Sequence, residues 1–179
     1  MRNFVTILVV LAVLIGLGGN YAAGQTYHDP GLKKVIQVAL VVRDIEASSK
    51  RWAAFLGVPV PTIRTTRPGH EVKLMYRGHP SEGQVKLAFI ELGQVTIELL
   101  QPVGEGTSWK EYLDKKGEGV QHLGFQVVDQ EKASQALVEA GMPVLHSGRY
   151  DSDDGTYIYH DTMDSLGVVI ELLHSDAKK

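Results

Sequence analysis

A chain of 179 residues, 44% hydrophobic and 22% charged, has the make-up of one compact domain or two small modules sharing a core. A formal net charge of -3 excludes the basic footprint of a nucleic-acid-binding surface. The absence of cysteine excludes disulfides, thiolate nucleophiles, cysteine-based metal sites and lipidation at a cysteine.

In chain order, the first feature is MRNF followed by Val5–Leu17 (VTILVVLAVLIGL), an apolar run behind one basic residue. The run is shorter than the roughly 20 residues that span a bilayer comfortably. Gly18–Gln25 then supplies small residues, with Ala22 and Gly24 suited to a peptidase site. Residues 1–24 therefore read as a signal peptide cleaved after Gly24, and the mature protein as exported, periplasmic or extracellular. Uncleaved, the same segment is an N-terminal anchor and the chain's one expected tie to a membrane.

Val35–Val42 (VIQVALVV) is β-branched and apolar and predicts a strand. Asp44 caps a helix from Ile45 to about Leu56, in which Trp52, Phe55 and Leu56 share a face, and Gly57 and Pro59 stop it. Strands are expected at Thr62–Arg67, Val72–Tyr76, Val85–Leu92 and Gln94–Leu100, with turns at Pro68–His70 and Gly78–Gly83. Residues 102–118 read as a linker with a short helix at Ser108–Lys115.

Val120–Val128 (VQHLGFQVV) starts the pattern again. Asp129 caps a helix to about Ala140, and G-M-P-V at Gly141–Val144 matches G-V-P-V at Gly57–Val60. Strands follow at Val144–Arg149, Thr156–His160 and Val168–Leu173. The acidic DSDDG at Asp151–Gly155 lacks the full EF-hand spacing and its closing glutamate, and reads as a loop. Two β-α-β-β-β units thus occupy residues 33–101 and 119–174, an α+β arrangement.

Each unit ends on the same tetrapeptide, in TIELLQP at Thr96–Pro102 and VIELLHS at Val169–Ser175. A glutamate inside an apolar strand either faces water or, if buried, needs a partner or a metal. Aligning the units sets Gln37 opposite His122 and Glu98 opposite Glu171, at equivalent points of first and last strands. Paired about a pseudo-twofold axis, within one chain or across a dimer, the units bring these four together. An amide oxygen, an imidazole nitrogen and two carboxylates suit a borderline or hard divalent ion. Of the other histidines, His70, His79 and His146 lie near predicted turns and read as surface. His160 reads as structural or surface, and Trp52 as core.

From Val35 to His174 the chain resembles the vicinal oxygen chelate superfamily, which includes glyoxalase I, methylmalonyl-CoA epimerase, extradiol dioxygenases and the bleomycin and fosfomycin resistance proteins. The resemblance implies paired modules forming a cupped mixed sheet around one divalent metal (Co, Ni, Zn or Mn), held by Gln37, Glu98, His122 and Glu171. A single histidine in register separates the chain from the dioxygenases, which use two. Glyoxalase I is similar in its ligand set, but Val41 and Pro102 stand where its glutathione signature has arginine and asparagine.

Methylmalonyl-CoA epimerase is the most similar member. Pro80-Ser81-Glu82-Gly83-Gln84-Val85 leads into KLAFIELGQVTIELLQPVG, and GEGVQHLGF spans Gly117–Phe125. Two departures are Gln37, where the epimerase has histidine, and a glycine displaced by one before Val85. The resemblance implies a metal-dependent isomerase or lyase that moves the proton beside a carbonyl or thioester of a small molecule. Glu82 and Glu171 are its implied acid–base pair, Glu171 doubling as ligand, and a homodimer is its expected assembly. Because acyl-CoA esters belong inside the cell, either an uncleaved anchor keeps the domain facing the cytoplasm or the substrate is a different small carbonyl compound, the second being the favoured reading. The alternative is a non-catalytic protein that sequesters a small molecule in the same cup.

Overall fold

A computed structural model describes residues 29–176; the expected signal peptide or anchor at 1–24 lies outside them. The first half contains β1 (Val35–Val41), α1 (Ile45–Leu56), β2 (Arg64–Thr65), β3 (Met75–Tyr76), β4 (His79–Pro80), β5 (Gln84–Glu91) and β6 (Thr96–Val103). After α2 (Ser108–Lys116) come β7 (Gly119–Gln126), α3 (Gln130–Glu139), β8 (Val144–Arg149), β9 (Gly155–His160), α4 (Met163–Leu166) and β10 (Val169–Ser175). All ten strands join one mixed sheet in the order β2-β5-β6-β1-β7-β10-β9-β8-β3-β4, curled into a half-barrel.

The two long helices begin where the sequence predicts. The Asp44 carboxylate accepts from the Ala47 amide and that of Asp129 from the Lys132 amide, satisfying N–H groups that a helix start leaves open. Helix α1 lies on β5 and β6, burying Ile45 with Ala88, Ile90, Ile97 and Leu99. Helix α3 lies on β10 and β9, burying Ala133 and Leu137 with Ile170 and Leu172. Alternate strand residues point to opposite faces, so each IELL puts its isoleucine and first leucine under a helix. Its glutamate and second leucine turn into the cup.

The register places the two halves about a pseudo-twofold axis within one chain. β1 and β7 run antiparallel at the centre, with Gln37 opposite Gly124 and Ala39 opposite His122. β6 runs parallel to β1 with Glu98 beside Ala39, and β10 parallel to β7 with Glu171 beside Gly124. Exchanging the halves reproduces the pattern.

One stretch departs from the expected repeat. Val72 and Lys73 form a turn, and only Met75–Tyr76 pair as a strand. Their partner is β8 of the other half, with Met75 opposite Ser147 and Tyr76 opposite His146. The segment read as a turn, Gly78–Gly83, contributes β4, paired back on β3. Left-handed backbone at Lys73 (φ 53°) and Arg77 (φ 48°) breaks the extended run at both ends. Residues 66–82 therefore cross from the first half to the outer edge of the second, and bury Val72 and Leu74 on the way.

Candidate active site

The concave face holds a cavity of about 330 Å3, at the lower end of the size that takes a small ligand. Gln37, Glu98 and Glu171 line it, and His122 lies behind them in the floor. The two glutamates are 5% and 3% exposed and His122 is fully buried, so neither IELL glutamate faces bulk water. His122 Nε2 stands 3.2 Å from Glu171 Oε2 and 3.4 Å from Glu98 Oε2. Gln37 donates to Glu98 Oε2, and His122 Nδ1 meets Gln121 Oε1 at 2.5 Å. The structure thus brings together all four side chains that the repeat aligned.

Burial and charge oppose one another in this cluster. Burial alone pulls the His122 imidazole down. The neighbouring Glu171 and Glu98 carboxylates outweigh that and lift it to about 9. Burial pushes Glu98 above the usual carboxylate range, against the opposing pull of His122.

Among the described residues no group of three or more His, Cys, Asp and Glu side chains stands as a ready-made cation cage. The imidazole and the two carboxylates lie in direct contact. The donor set nevertheless fits a divalent ion. His122 Nε2 and Glu171 Oε2 are both buried and lack a hydrogen-bond partner, although they are only 3.2 Å apart. Two such atoms that meet without hydrogen-bond alignment suit a third atom between them. Ligands at about 2.0–2.2 Å from a common ion stand about 3–3.5 Å from each other, which matches the spacing here. Gln37 presents its carbonyl oxygen to such an ion by turning its amide over.

Gly124 makes this closeness possible. A Cβ there would lie 2.9 Å from Gln37 Cβ and from Leu173 Cδ1, and 3.0 Å from Glu171 Oε2. Its counterpart in the other half is Ala39, fully buried beside Glu98 and His122.

Glu82, the other residue of the implied acid–base pair, stands elsewhere. It is exposed, its Oε2 lies 2.6 Å from His70 Nδ1, and it does not line the cavity. The hydrogen bond from His70 holds its carboxyl below the usual range. Two histidines differ from expectation or complete it. His146 is not at the surface: β3 covers the edge of β8, and the ring is fully buried against Trp109, with Nδ1 2.9 Å from Ser108 Oγ. Burial, helped by His122, pushes His146 down to about 3, so it is neutral. His160 is structural, joining Met142 O and Ser134 Oγ across α3 and β9.

Sequence reasoning missed the tyrosines of the wall. Tyr157 and Tyr159 line the cavity, and Tyr159 sits directly across from Glu171, its ring 4.8 Å from that of His122. Burial, then the Glu171 charge, raises both phenols, so they stay protonated donors. The signal was available in TYIYH: tyrosines two apart on a strand share a face, and that face is the one Glu171 uses.

A curled mixed sheet with a half-buried amide and buried imidazole and carboxylate donors on its four central strands defines a glyoxalase-type fold. Residues 36–160 match the model of the glyoxalase/bleomycin resistance protein/dioxygenase superfamily, and the chain belongs to that superfamily. It is 34% identical over 112 residues to an ethylmalonyl-CoA/methylmalonyl-CoA epimerase of Cereibacter sphaeroides, covering 62% of this chain and 73% of that protein. Among solved structures it is similar in fold to the methylmalonyl-CoA epimerase of Mycobacterium tuberculosis (TM-score 0.57, 19% identity, 80% of this chain and 89% of that one). A variant of the Streptomyces coelicolor epimerase in complex with 2-nitronate-propionyl-CoA gives a TM-score of 0.56 at 22% identity, over 82% of this chain and 99% of that one. Homology thus supports a function of the epimerase or isomerase type.

Proposed function

We propose that the protein is a divalent-metal-dependent isomerase of the epimerase type, moving the proton beside a carbonyl or thioester of a small substrate. The observation that carries this reading is the pair of buried, unpartnered donors, His122 Nε2 and Glu171 Oε2, at the floor of a ligand-sized cavity. Gln37, Glu98, His122 and Glu171 would hold the ion. A bound divalent ion supplies Lewis-acid stabilisation of the negative charge that develops on a carbonyl oxygen.

The remaining work falls to the chain. Glu171 lines the cavity, and its carboxylate takes the proton from carbon. Leu87, Phe89, Leu100 and Trp109 make the apolar walls that keep water from the carbanionic centre. Tyr159, across the strand from Glu171, keeps its phenolic proton and offers a donor beside the reacting carbon. Epimerisation also needs an acid on the opposite face, and the resemblance assigns that to Glu82. Its position on His70, outside the cavity, makes that assignment depend on an inward movement of the 66–82 crossing, which the Glu82→Gln variant tests.

The epimerase relatives named above suggest a CoA thioester. The apolar segment at 1–24 suggests export and hence a different acidic carbonyl compound. We favour the latter. A second reading, a binding protein without turnover, draws on the exposure of Glu82, which takes one of the two implied acid–base carboxylates out of the cavity.

The test is metal content by elemental analysis of the chain from Gln25, beside E98A/E171A, followed by deuterium exchange of candidate substrates in heavy water. About one ion per chain, lost in the double variant, with metal-dependent exchange at the α-carbon, is the expected result. Tight binding without exchange supports the second reading. A protein left empty by cobalt, nickel, manganese and zinc overturns the metal-dependent reading.

A further inference from the structure

The antiparallel pairing of β1 and β7 contains two irregularities, and each falls immediately before a proposed ligand. Between the pairs Val35–Phe125 and Gln37–Gly124 the register shifts, leaving Ile36 as an extra residue on β1. Between Ala39–His122 and Leu40–Val120 it shifts again, leaving Gln121 as the extra residue on β7. The two bulges are related by the pseudo-twofold axis, as are the residues that follow them. A bulge re-aims side chains locally and lets two successive residues serve the same face.

The two bulged residues nevertheless differ in chemistry. Ile36 lines the cavity as an apolar side chain. Gln121 is 1% exposed and sets its Oε1 2.5 Å from Nδ1 of the very next residue, His122. The ligands beside them explain the difference. Gln37 presents an amide, whose donor and acceptor ends exchange by simple rotation. An imidazole ligates through one nitrogen only when the proton sits on the other, and that placement has to be imposed by a neighbour.

We infer that Gln121 fixes the tautomer of His122. Its side-chain carbonyl accepts from Nδ1–H and so leaves Nε2, the nitrogen beside Glu98 and Glu171, as the one that gives up its proton to an ion. This rests on the metal reading above for its purpose, but not for its geometry. Gln121 is therefore a positioning residue, acting on the ion through His122. A neutral acceptor suits the role, because a third buried carboxylate would add charge to a floor that already holds two.

The test compares wild type with Gln121→Ile, which copies the residue that the equivalent bulge already accommodates, and with Gln121→Glu, which keeps an acceptor oxygen at the same reach. Cobalt affinity is read from visible absorption, and the protonation of each ring nitrogen from nitrogen–proton correlations of the zinc-loaded protein. Expected are a hydrogen on Nδ1 in wild type, a Kd about 10–100-fold weaker in Q121I, and recovery to within a few-fold in Q121E. A purely structural bulge residue would lower the melting temperature of Q121I without changing cobalt affinity. Wild-type cobalt affinity in Q121I, or ligation through Nδ1, overturns the inference.

If wild type takes up no cobalt, the metal reading fails by itself. The ring spectrum of the metal-free protein, recorded at a pH where the imidazole is neutral, then decides the matter. Nδ1–H in wild type, lost in Q121I, upholds the role of Gln121; the same tautomer in both overturns it.

Discussion

The two halves of the sheet share a backbone plan and face each other with different walls. Phe89 lies across from Glu98 in the first half, and Tyr159 across from Glu171 in the second. One step along, Leu87 pairs with Leu100, and Tyr157 with Leu173. Equivalent positions therefore carry hydrocarbon on one side of the cavity and phenols on the other. The floor repeats this division, with an amide and a carboxylate from one half and an imidazole and a carboxylate from the other. A fully symmetric cup would offer a ligand two equivalent orientations; the unlike walls make those orientations inequivalent. The repeat sets where the donors meet, and the divergence between copies sets how the two walls differ.

The sharpest way to break that comparison is to neutralise each floor carboxylate in turn. If Glu171 is both ligand and base while Glu98 is ligand only, E171Q lowers metal-loaded turnover by about 10²–10⁴-fold. E98Q at saturating metal then loses much less, and equal losses would mean that the halves are interchangeable. Steady-state rates at several metal concentrations separate the two.

Acidity should sharpen the same point. With no metal bound, the raised imidazole of His122 stabilises the fold fully below its unfolded value of about 6.5, and that contribution is lost as pH rises to about 9. The raised Glu98 acts in the same direction, because the folded state binds its proton more tightly than the unfolded chain does. The metal-free protein should therefore melt at progressively lower temperature between pH 6.5 and about 9. Metal affinity should climb over the same interval, since the ion displaces the ring's proton. A melting temperature that is flat across this window would show that His122 is not held by its carboxylates.

The central pair offers a smaller contrast. Gly124→Ala forces a methyl against Gln37, Leu173 and Glu171, and should cost about 1–3 kcal/mol in denaturant unfolding. Ala39→Gly, at the equivalent place, should cost about 0.5–1 kcal/mol through backbone entropy. On the walls, Tyr159→Phe keeps the ring against His122 and should slow turnover about 10-fold, as expected for one lost hydrogen bond of roughly 1.4 kcal/mol. The smallest effect is assigned to Glu82→Gln. With its carboxylate exposed on His70, turnover should stay within about two-fold of wild type unless the crossing segment moves it inward; a loss approaching that of E171Q would establish Glu82 as the second acid.

The parts legible in the sequence are those fixed by local rules. Asp44 and Asp129 mark helix starts by their side-chain chemistry. The paired IELL strands mark inward carboxylates, because period-two alternation leaves the glutamate nowhere but the face opposite the helix. The 66–82 crossing obeys no such rule. Lys73 and Arg77 adopt left-handed backbone without being glycine or asparagine, and the pairing of β3 with β8 joins residues some 70 positions apart. Missing that pairing also misplaced His146, whose burial depends on which strand covers it. Glu82 shows the limit of motif likeness: its neighbours match a known pattern, but its position depends on the conformation of the crossing.

The two ends of the sheet have a consequence for self-association. A ten-stranded sheet usually exposes a row of unpaired amides and carbonyls along each border, where another copy can add on. Here the outermost strands, β2 and β4, are two residues each, and β4 includes Pro80, which has no amide hydrogen to give. Short, interrupted borders of this kind offer little for strand-by-strand growth into ribbons or fibres.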